Sequence, residues 1–178
     1  MEKVRIGVIG CGYMAQTAHI PCLAMNPAAE LAAVCSRRVE VAEAVARRWG
    51  VPFACGSEEE LLSRELDAVF VLTPVQWHLA NVGEALKAGK AVFTEKPAAM
   101  SVESARKLAA AAAAAGKGVS VGYMKRHDAN LAELRRILDE KKWGKLLFLR
   151  AHAFIGSHWN AAIESLVPVV RATSPAPA

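Results

Sequence analysis

Short apolar runs alternate with longer segments of helical period from residue 4 to residue 123, and this alternation is the strongest constraint on what the chain can become. The runs Val4-Arg5-Ile6-Gly7-Val8-Ile9, Leu31-Ala32-Ala33-Val34-Cys35, Ala68-Val69-Phe70-Val71-Leu72, Ala91-Val92-Phe93-Thr94 and Val119-Ser120-Val121-Gly122-Tyr123 each read as a strand. Strands that are apolar on both sides are expected where helices cover both faces of a parallel sheet. The expected class is therefore α/β, with a doubly wound parallel sheet.

The segments between the runs carry readable helix ends. Val41, Ala44, Val45 and Trp49 recur at helical spacing, and Gly50 follows as a stop. Ser57 with Glu60 has the form of a capping box. Leu79, Val82 and Leu86 form a stripe closed by Gly89, and Ser101 caps an alanine-rich segment that stops at Gly116. Alanine is the best helix former, so Ala109–Ala115 is read as helix and not as low complexity.

After Tyr123 the pattern changes. Leu131, Leu134 and Leu138 predict one more helix, ending near Lys141-Lys142, where cations suit the negative end of the helix dipole. Residues 146–155 predict a long strand with apolar groups on both sides, and the proline-rich tail from Val167 to Ala178 is not expected to pack. The expected division is a domain at 1–124 and, at 125–178, a linker helix and first strand of a truncated α+β second domain.

Composition narrows the functional classes. With 53% hydrophobic and 22% charged residues, the 178-residue chain has the balance of a folded globular protein. No apolar run approaches the roughly 20 residues of a membrane span, and charges at Glu2, Lys3 and Arg5 do not suit a signal peptide. A cytoplasmic location with no membrane partner is the expectation. The net charge of +5 is dispersed, which argues against a nucleic-acid partner. Cys11, Cys22, Cys35 and Cys55 stand singly and read as small apolar residues, with no metal site expected.

The sharpest chemical signal is Gly10-Cys11-Gly12-Tyr13-Met14-Ala15, directly after the first strand and opening a helix. In this G-x-G-x-x-A pattern Gly10 permits a tight turn, Gly12 lets backbone approach a pyrophosphate, and Ala15 allows close helix–strand packing. The N–H groups at the helix start, from Tyr13 and Met14 onward, would face the phosphates. The sheet is therefore expected to be of Rossmann type, binding a nicotinamide dinucleotide. At the end of the second strand, Ser36-Arg37-Arg38 offers a hydroxyl and two guanidinium groups, with no carboxylate until Glu40. Guanidinium binds a 2′-phosphate bidentately, so NADP is expected in preference to NAD. Thr73-Pro74 and Glu95-Lys96-Pro97 fall at carboxyl ends of strands, where open α/β sheets bind ligands. Lys96 could hold a substrate hydroxyl or carbonyl, with a cis Pro97 fixing its direction. His78 taken alone reads as structural.

Gly7-Val8-Ile9-Gly10-Cys11-Gly12, Thr73-Pro74 with His78, Ala88-Gly89-Lys90, Glu95-Lys96-Pro97 and Gly122-Tyr123 with Arg126 together resemble the Gfo/Idh/MocA family, the glucose–fructose oxidoreductase and inositol dehydrogenase relatives. The resemblance spans residues 4 to about 155. It implies NAD(P)-dependent hydride transfer at a carbon of a sugar, cyclitol or related polyol, with Lys96 in substrate binding and proton transfer. It implies that Thr73, Pro74, His78, Glu95 and Lys96 surround the nicotinamide half, and that Arg126 reaches the cofactor. It also implies a second domain, built on an open and mostly antiparallel sheet, that completes the active site and forms a homo-oligomer. The sequence departs from the pattern at Val75, where asparagine is common, and at Ala129, where proline is usual. The family's second-domain Asp and His have no counterpart, since His152 and His158 lie too early. The rival expectation is a non-catalytic dinucleotide-binding sensor or partner-dependent subunit, which would leave Lys96 without a task.

Overall fold

The central strand, β1 (Val4–Ile9), pairs in parallel with β2 (Ala29–Cys35) on one side and with β4 (Ala68–Val71) on the other. Beyond β2 lies β3 (Phe53–Cys55); beyond β4 lie β5 (Ala91–Thr94) and β6 (Val119–Val121). The computed structural model describes residues 2–152, and its six strands run in the order β3-β2-β1-β4-β5-β6, all parallel. The chain winds outward from β1 to β3, then crosses back to the far side of β1. The carboxyl ends of β1 and β4 therefore carry connections that leave in opposite directions, which opens a crevice between them.

Helices cover both faces, as the apolar strands require. On one side α1 (Ile20–Met25) and α2 (Val39–Trp49) pack Ile20, Leu23, Val41 and Val45 against Val8 and Val34. On the other, α3 (Glu58–Leu62), α4 (His78–Lys87) and α5 (Val102–Ala115) bring Leu61, Val82, Leu86 and Leu108 onto Ile9, Val69, Val71 and Val92. Val8, Val34 and Val69 are fully buried, each contributing about 1.5–3 kcal/mol of transfer free energy. The helix ends follow the sequence: Ser57 accepts the Glu60 N–H at 3.5 Å, Ser101 accepts the Ser104 N–H at 3.1 Å, and α2 and α5 stop at Gly50 and Gly116.

Four features differ from the sequence expectation. Strand β3 is three residues long, too short to leave a pattern, and forms because Cys55 pairs beside Cys35. Strand β6 stops at Val121, two residues before the expected end. The helix that opens on the glycine motif contains a π-turn over Ala15–His19, in which the Ile20 N–H reaches the Ala15 carbonyl. Pro21 follows and has no N–H to return to Thr17, so the ordinary α-pattern is already broken there. Finally, residues 146–152 of the expected strand form no strand, and Leu146, Leu147, Phe148 and Leu149 are exposed. No described segment pairs with them, and an unpaired strand has nothing to hold its backbone polar groups. The rest of that strand, His158 and the proline-rich tail lie outside the described residues.

The helix expected around Leu131–Leu138 is α6 (Ala129–Glu140), which follows the Met124–His127 turn. Asp128 caps it by accepting the Asn130 N–H at 3.0 Å. Its apolar residues Leu131 and Leu134 face outward, in contrast to those of α2 and α4. Among the described residues no helix is long and apolar enough to cross a membrane.

Candidate dinucleotide and substrate site

At the end of β1 the chain turns on Gly10, whose φ of 99° lies in the left-handed region. Its amide donates to the Cys35 carbonyl at 2.9 Å, and the Leu72 amide donates to the Ile9 carbonyl at 2.8 Å, so the turn is tied to both neighbouring strands. A Cβ on Gly10 would lie 2.9 Å from the carbonyl carbon and oxygen of Leu72, so the position tolerates no side chain. Gly12 differs: a Cβ there would meet nothing within 4 Å. That open space faces the groove and is the cradle into which a pyrophosphate would fit. Ala15 is buried in the core as expected, while Met14 is exposed and lines no part of the groove. Gln16, buried beside the loop, donates to the Cys11 carbonyl at 2.8 Å and braces it from behind.

The groove has a volume of about 1070 Å³. One wall is the glycine loop, with Gly10, Gly12 and Tyr13; a second is Ser36, Arg37 and Arg38 at the end of β2; a third is Thr73, Pro74, Trp77 and Asn81. Arg37 and Arg38 are exposed, and neither is paired with an acidic group among the described residues. Three carboxylates also reach this groove, Glu58 and Glu59 at the start of α3 and Glu84 on α4. The sequence reading considered only the end of β2 and did not anticipate them. Glu58 is committed elsewhere: both its oxygens accept from Asn81 Nδ2, at 2.7 and 2.8 Å. Asn81 Oδ1 in turn accepts from Thr73 Oγ1 at 2.7 Å. This chain orients Thr73 and holds the Glu58 carboxylate on Asn81, away from Arg37 and Arg38.

His78 is 1% exposed and faces backbone with both ring nitrogens: Nε2 lies 2.8 Å from the Thr73 carbonyl and Nδ1 lies 3.0 Å from that of Pro97. It does not line the groove, and its ring fastens the end of β4 to the loop after β5. On that loop the Lys96–Pro97 bond is cis and Lys96 is exposed. Glu95 is mostly buried and pairs with His19, whose Nε2 lies 2.7 Å from Oε1. Glu95 Oε2 accepts the Lys96 amide at 3.0 Å. Arg126 is exposed on the Met124–His127 turn and, like Glu95 and Lys96, lies outside the groove lining.

The sequence residues thus divide into two sets. Gly10, Gly12, Tyr13, Ser36, Arg37, Arg38, Thr73 and Pro74 line one groove, while Glu95, Lys96 and Arg126 stand on adjoining loops at the same strand edge. Sequence reasoning missed Gln16, His19, Glu58, Trp77 and Asn81. Asn81 carries a weak signal, since it lies one helical turn beyond His78; His19 and Glu58 become visible through their distant partners, and Gln16 and Trp77 through their place at the groove.

Three of the four cysteines are buried near this groove. Burial, and next the neighbouring Cys55, pushes the Cys11 thiol up to about 12. Burial likewise raises Cys35 and Cys55, so all three are inert neutral groups at ordinary pH. No cluster of His, Cys, Asp and Glu able to hold a metal occurs among the described residues.

The strand order, the glycine turn and the groove define a dinucleotide-binding Rossmann domain. The family model described as "Oxidoreductase family, NAD-binding Rossmann fold" matches residues 4–123, and the chain belongs to that family, Gfo/Idh/MocA. Among its relatives is inositol 2-dehydrogenase 3 of Saccharopolyspora erythraea, 38% identical over 76% of this chain and 40% of that protein. A solved structure of KijD10, a 3-ketoreductase from Actinomadura kijaniata in complex with TDP-benzene and NADP, is 32% identical with a TM-score of 0.73, covering 79% of this chain and 45% of that one. Scyllo-inositol dehydrogenase from Lactobacillus casei, solved with NAD(H) and scyllo-inositol, is 26% identical with a TM-score of 0.75, covering 81% and 43%. The chain spans less than half the length of these relatives.

Proposed function

We propose that this chain is the cofactor-binding part of an NADP-preferring oxidoreductase that acts on a hydroxyl-bearing or keto carbon of a sugar, cyclitol or related polyol. The observation that carries this reading is the groove itself: the open cradle at Gly12 leads to Arg37 and Arg38, and its mouth shares a strand edge with Lys96. Neighbours solved with NADP and with NAD(H) support a nicotinamide dinucleotide as the ligand. The guanidinium groups of Arg37 and Arg38, exposed and without acidic partners among the described residues, support the phosphorylated form.

In this reading Gly10 sets the turn, Gly12 and the amides after it receive the pyrophosphate, and Arg37 with Ser36 holds the 2′-phosphate. Thr73, oriented by Asn81, and Pro74 border the path toward the nicotinamide. The bound dinucleotide supplies or accepts the hydride. Lys96 hydrogen-bonds the substrate oxygen and moves its proton, taking it from a hydroxyl during oxidation and returning it to a carbonyl oxygen during reduction. A second domain beginning near residue 125 would complete the substrate side and carry the oligomer interface.

The test is a fluorescence titration of the chain with NADPH and NADH, followed by assays of hydride transfer to inositols, aldoses and keto sugars with that second domain present. Saturable NADPH binding with reduction or oxidation of one of these classes is expected. Absence of dinucleotide binding would overturn the reading entirely; binding without turnover on any polyol or keto sugar would leave a sensor in its place.

A further inference from the structure

The Lys96 loop is held from an unexpected direction. His19 belongs to the helix that opens on the glycine motif, yet its Nε2 lies 2.7 Å from Glu95 Oε1, a partner 76 residues away in sequence. An ionised carboxylate can only accept, so Nε2 carries the hydrogen. The second oxygen of the same carboxylate accepts the Lys96 amide at 3.0 Å. Both side chains are largely enclosed, 17% and 16% exposed, which keeps competing water away from the pair.

Three further features build this pair into the fold. His19 closes the π-turn Ala15–His19 and from there lies over the sheet. The imidazole packs against Phe93 at 5.2 Å and Phe70 at 6.0 Å between ring centroids, and those two rings stack at 4.6 Å. A Cβ on Gly122 would lie 3.2 Å from Glu95 Oε1 and 3.1 Å from the Phe93 ring, so the bare backbone of Gly122 closes the slot around the carboxylate.

We infer that His19 is a positioning residue: through Glu95 it fixes the main chain of Lys96 and fastens the lysine loop to the helix that receives the pyrophosphate. The task given to Lys96 rests on the function proposed above; the hydrogen-bonded chain His19–Glu95–Lys96 stands without it. A packing role alone would need only a flat ring at position 19, whereas this role needs a donor at the place of Nε2.

The experiment measures amide hydrogen exchange at Lys96 by NMR in the 178-residue chain, comparing wild type with His19→Phe, His19→Gln and Glu95→Gln. His19→Phe keeps a ring on Phe70 and Phe93 but removes the donor, and should speed Lys96 exchange by about tenfold or more, the scale of one charge-assisted bond. His19→Gln restores a donor and should stay within about threefold of wild type. Glu95→Gln, nearly isosteric, offers one carbonyl oxygen in place of two acceptors and should also speed exchange. It decides the matter if His19→Phe fails to fold. Unchanged Lys96 exchange in His19→Phe or Glu95→Gln, or equal loss in His19→Gln and His19→Phe, would overturn the inference. NADPH titration of the same samples judges the functional reading separately, because a wild-type chain that binds no dinucleotide would still report the state of the Lys96 amide.

Discussion

Gly10 lies directly against the main chain of Leu72, so close that a Cβ would come within 2.9 Å of its carbonyl carbon and oxygen. Neither of those atoms can swing aside, and the φ of 99° adds a backbone penalty for any side chain. Gly10→Ala should therefore lower stability by about 2 kcal/mol or more and abolish dinucleotide binding. Gly12→Ala should leave stability within about 0.5 kcal/mol, because its Cβ would enter open space, while weakening the dinucleotide at least tenfold. Thermal denaturation and cofactor titration of the two variants check the contrast. Equal loss of stability in both would show that the two glycines do not divide the work.

Arg37 is exposed beside the groove, without an acidic partner among the described residues. The chain should bind NADPH more tightly than NADH by about tenfold or more, the effect of one good charge-assisted contact. Arg37→Ala should erase most of that preference while barely changing NADH affinity. Equal affinities in the wild type, read by nicotinamide fluorescence, would count against it.

Lys96 is exposed on its loop, with its backbone rather than its ammonium group engaged by Glu95. In the form carrying the second domain, Lys96→Ala should lower turnover by about 10²-fold, the usual scale for a proton-transfer group. Cofactor affinity should change by less than about threefold. Near-normal steady-state turnover in this variant would reassign Lys96 to a structural role.

The buried thiols set an alkaline limit. The folded chain holds Cys11 neutral up to about 12 against an ordinary value of 9.0, and burial shifts Cys35 in the same direction. Between those two values the unfolded chain binds fewer protons than the folded one. Stability is therefore intact below about pH 9 and falls as pH climbs toward 12. Denaturant midpoints measured from pH 8 to pH 11 should fall, and fall less steeply in Cys11→Ala. Iodoacetamide at pH 8 should modify Cys22, the exposed cysteine, and spare Cys11, Cys35 and Cys55. Rapid labelling of all four would contradict the burial.

Residues 141–152 are exposed and carry Lys141, Lys142 and Lys145. Brief trypsin treatment should cut there before it cuts within the sheet, and the large product should keep its NADPH affinity. Mass spectrometry of the early fragments, together with a titration of the product, provides the check. First cuts inside α2 or α5 would argue that the sheet is not the most stable part.

The sequence by itself determined the parallel sheet, the helix ends at Ser57, Gly50, Ser101 and Gly116, the glycine turn and the basic end of β2. Each of these is written in neighbouring residues, as an apolar run, a cap or a motif of fixed spacing, so local chemistry suffices to read it. Tertiary structure alone decided that β3 exists, because three residues beside Cys35 need only a vacant strand edge and no pattern of their own. Residues 146–152 show the reverse: a strand-like composition formed no strand without a neighbour to pair with. The same holds at the site. His78 reads as a cofactor contact within its motif, yet the fold encloses it between the carbonyls of Thr73 and Pro97. The Glu58–Asn81–Thr73 chain and the His19–Glu95 pair join residues as much as 76 positions apart. Such partners are chosen by where strands and helices come to lie, and a hydrogen bond between distant side chains leaves no period or spacing along the chain.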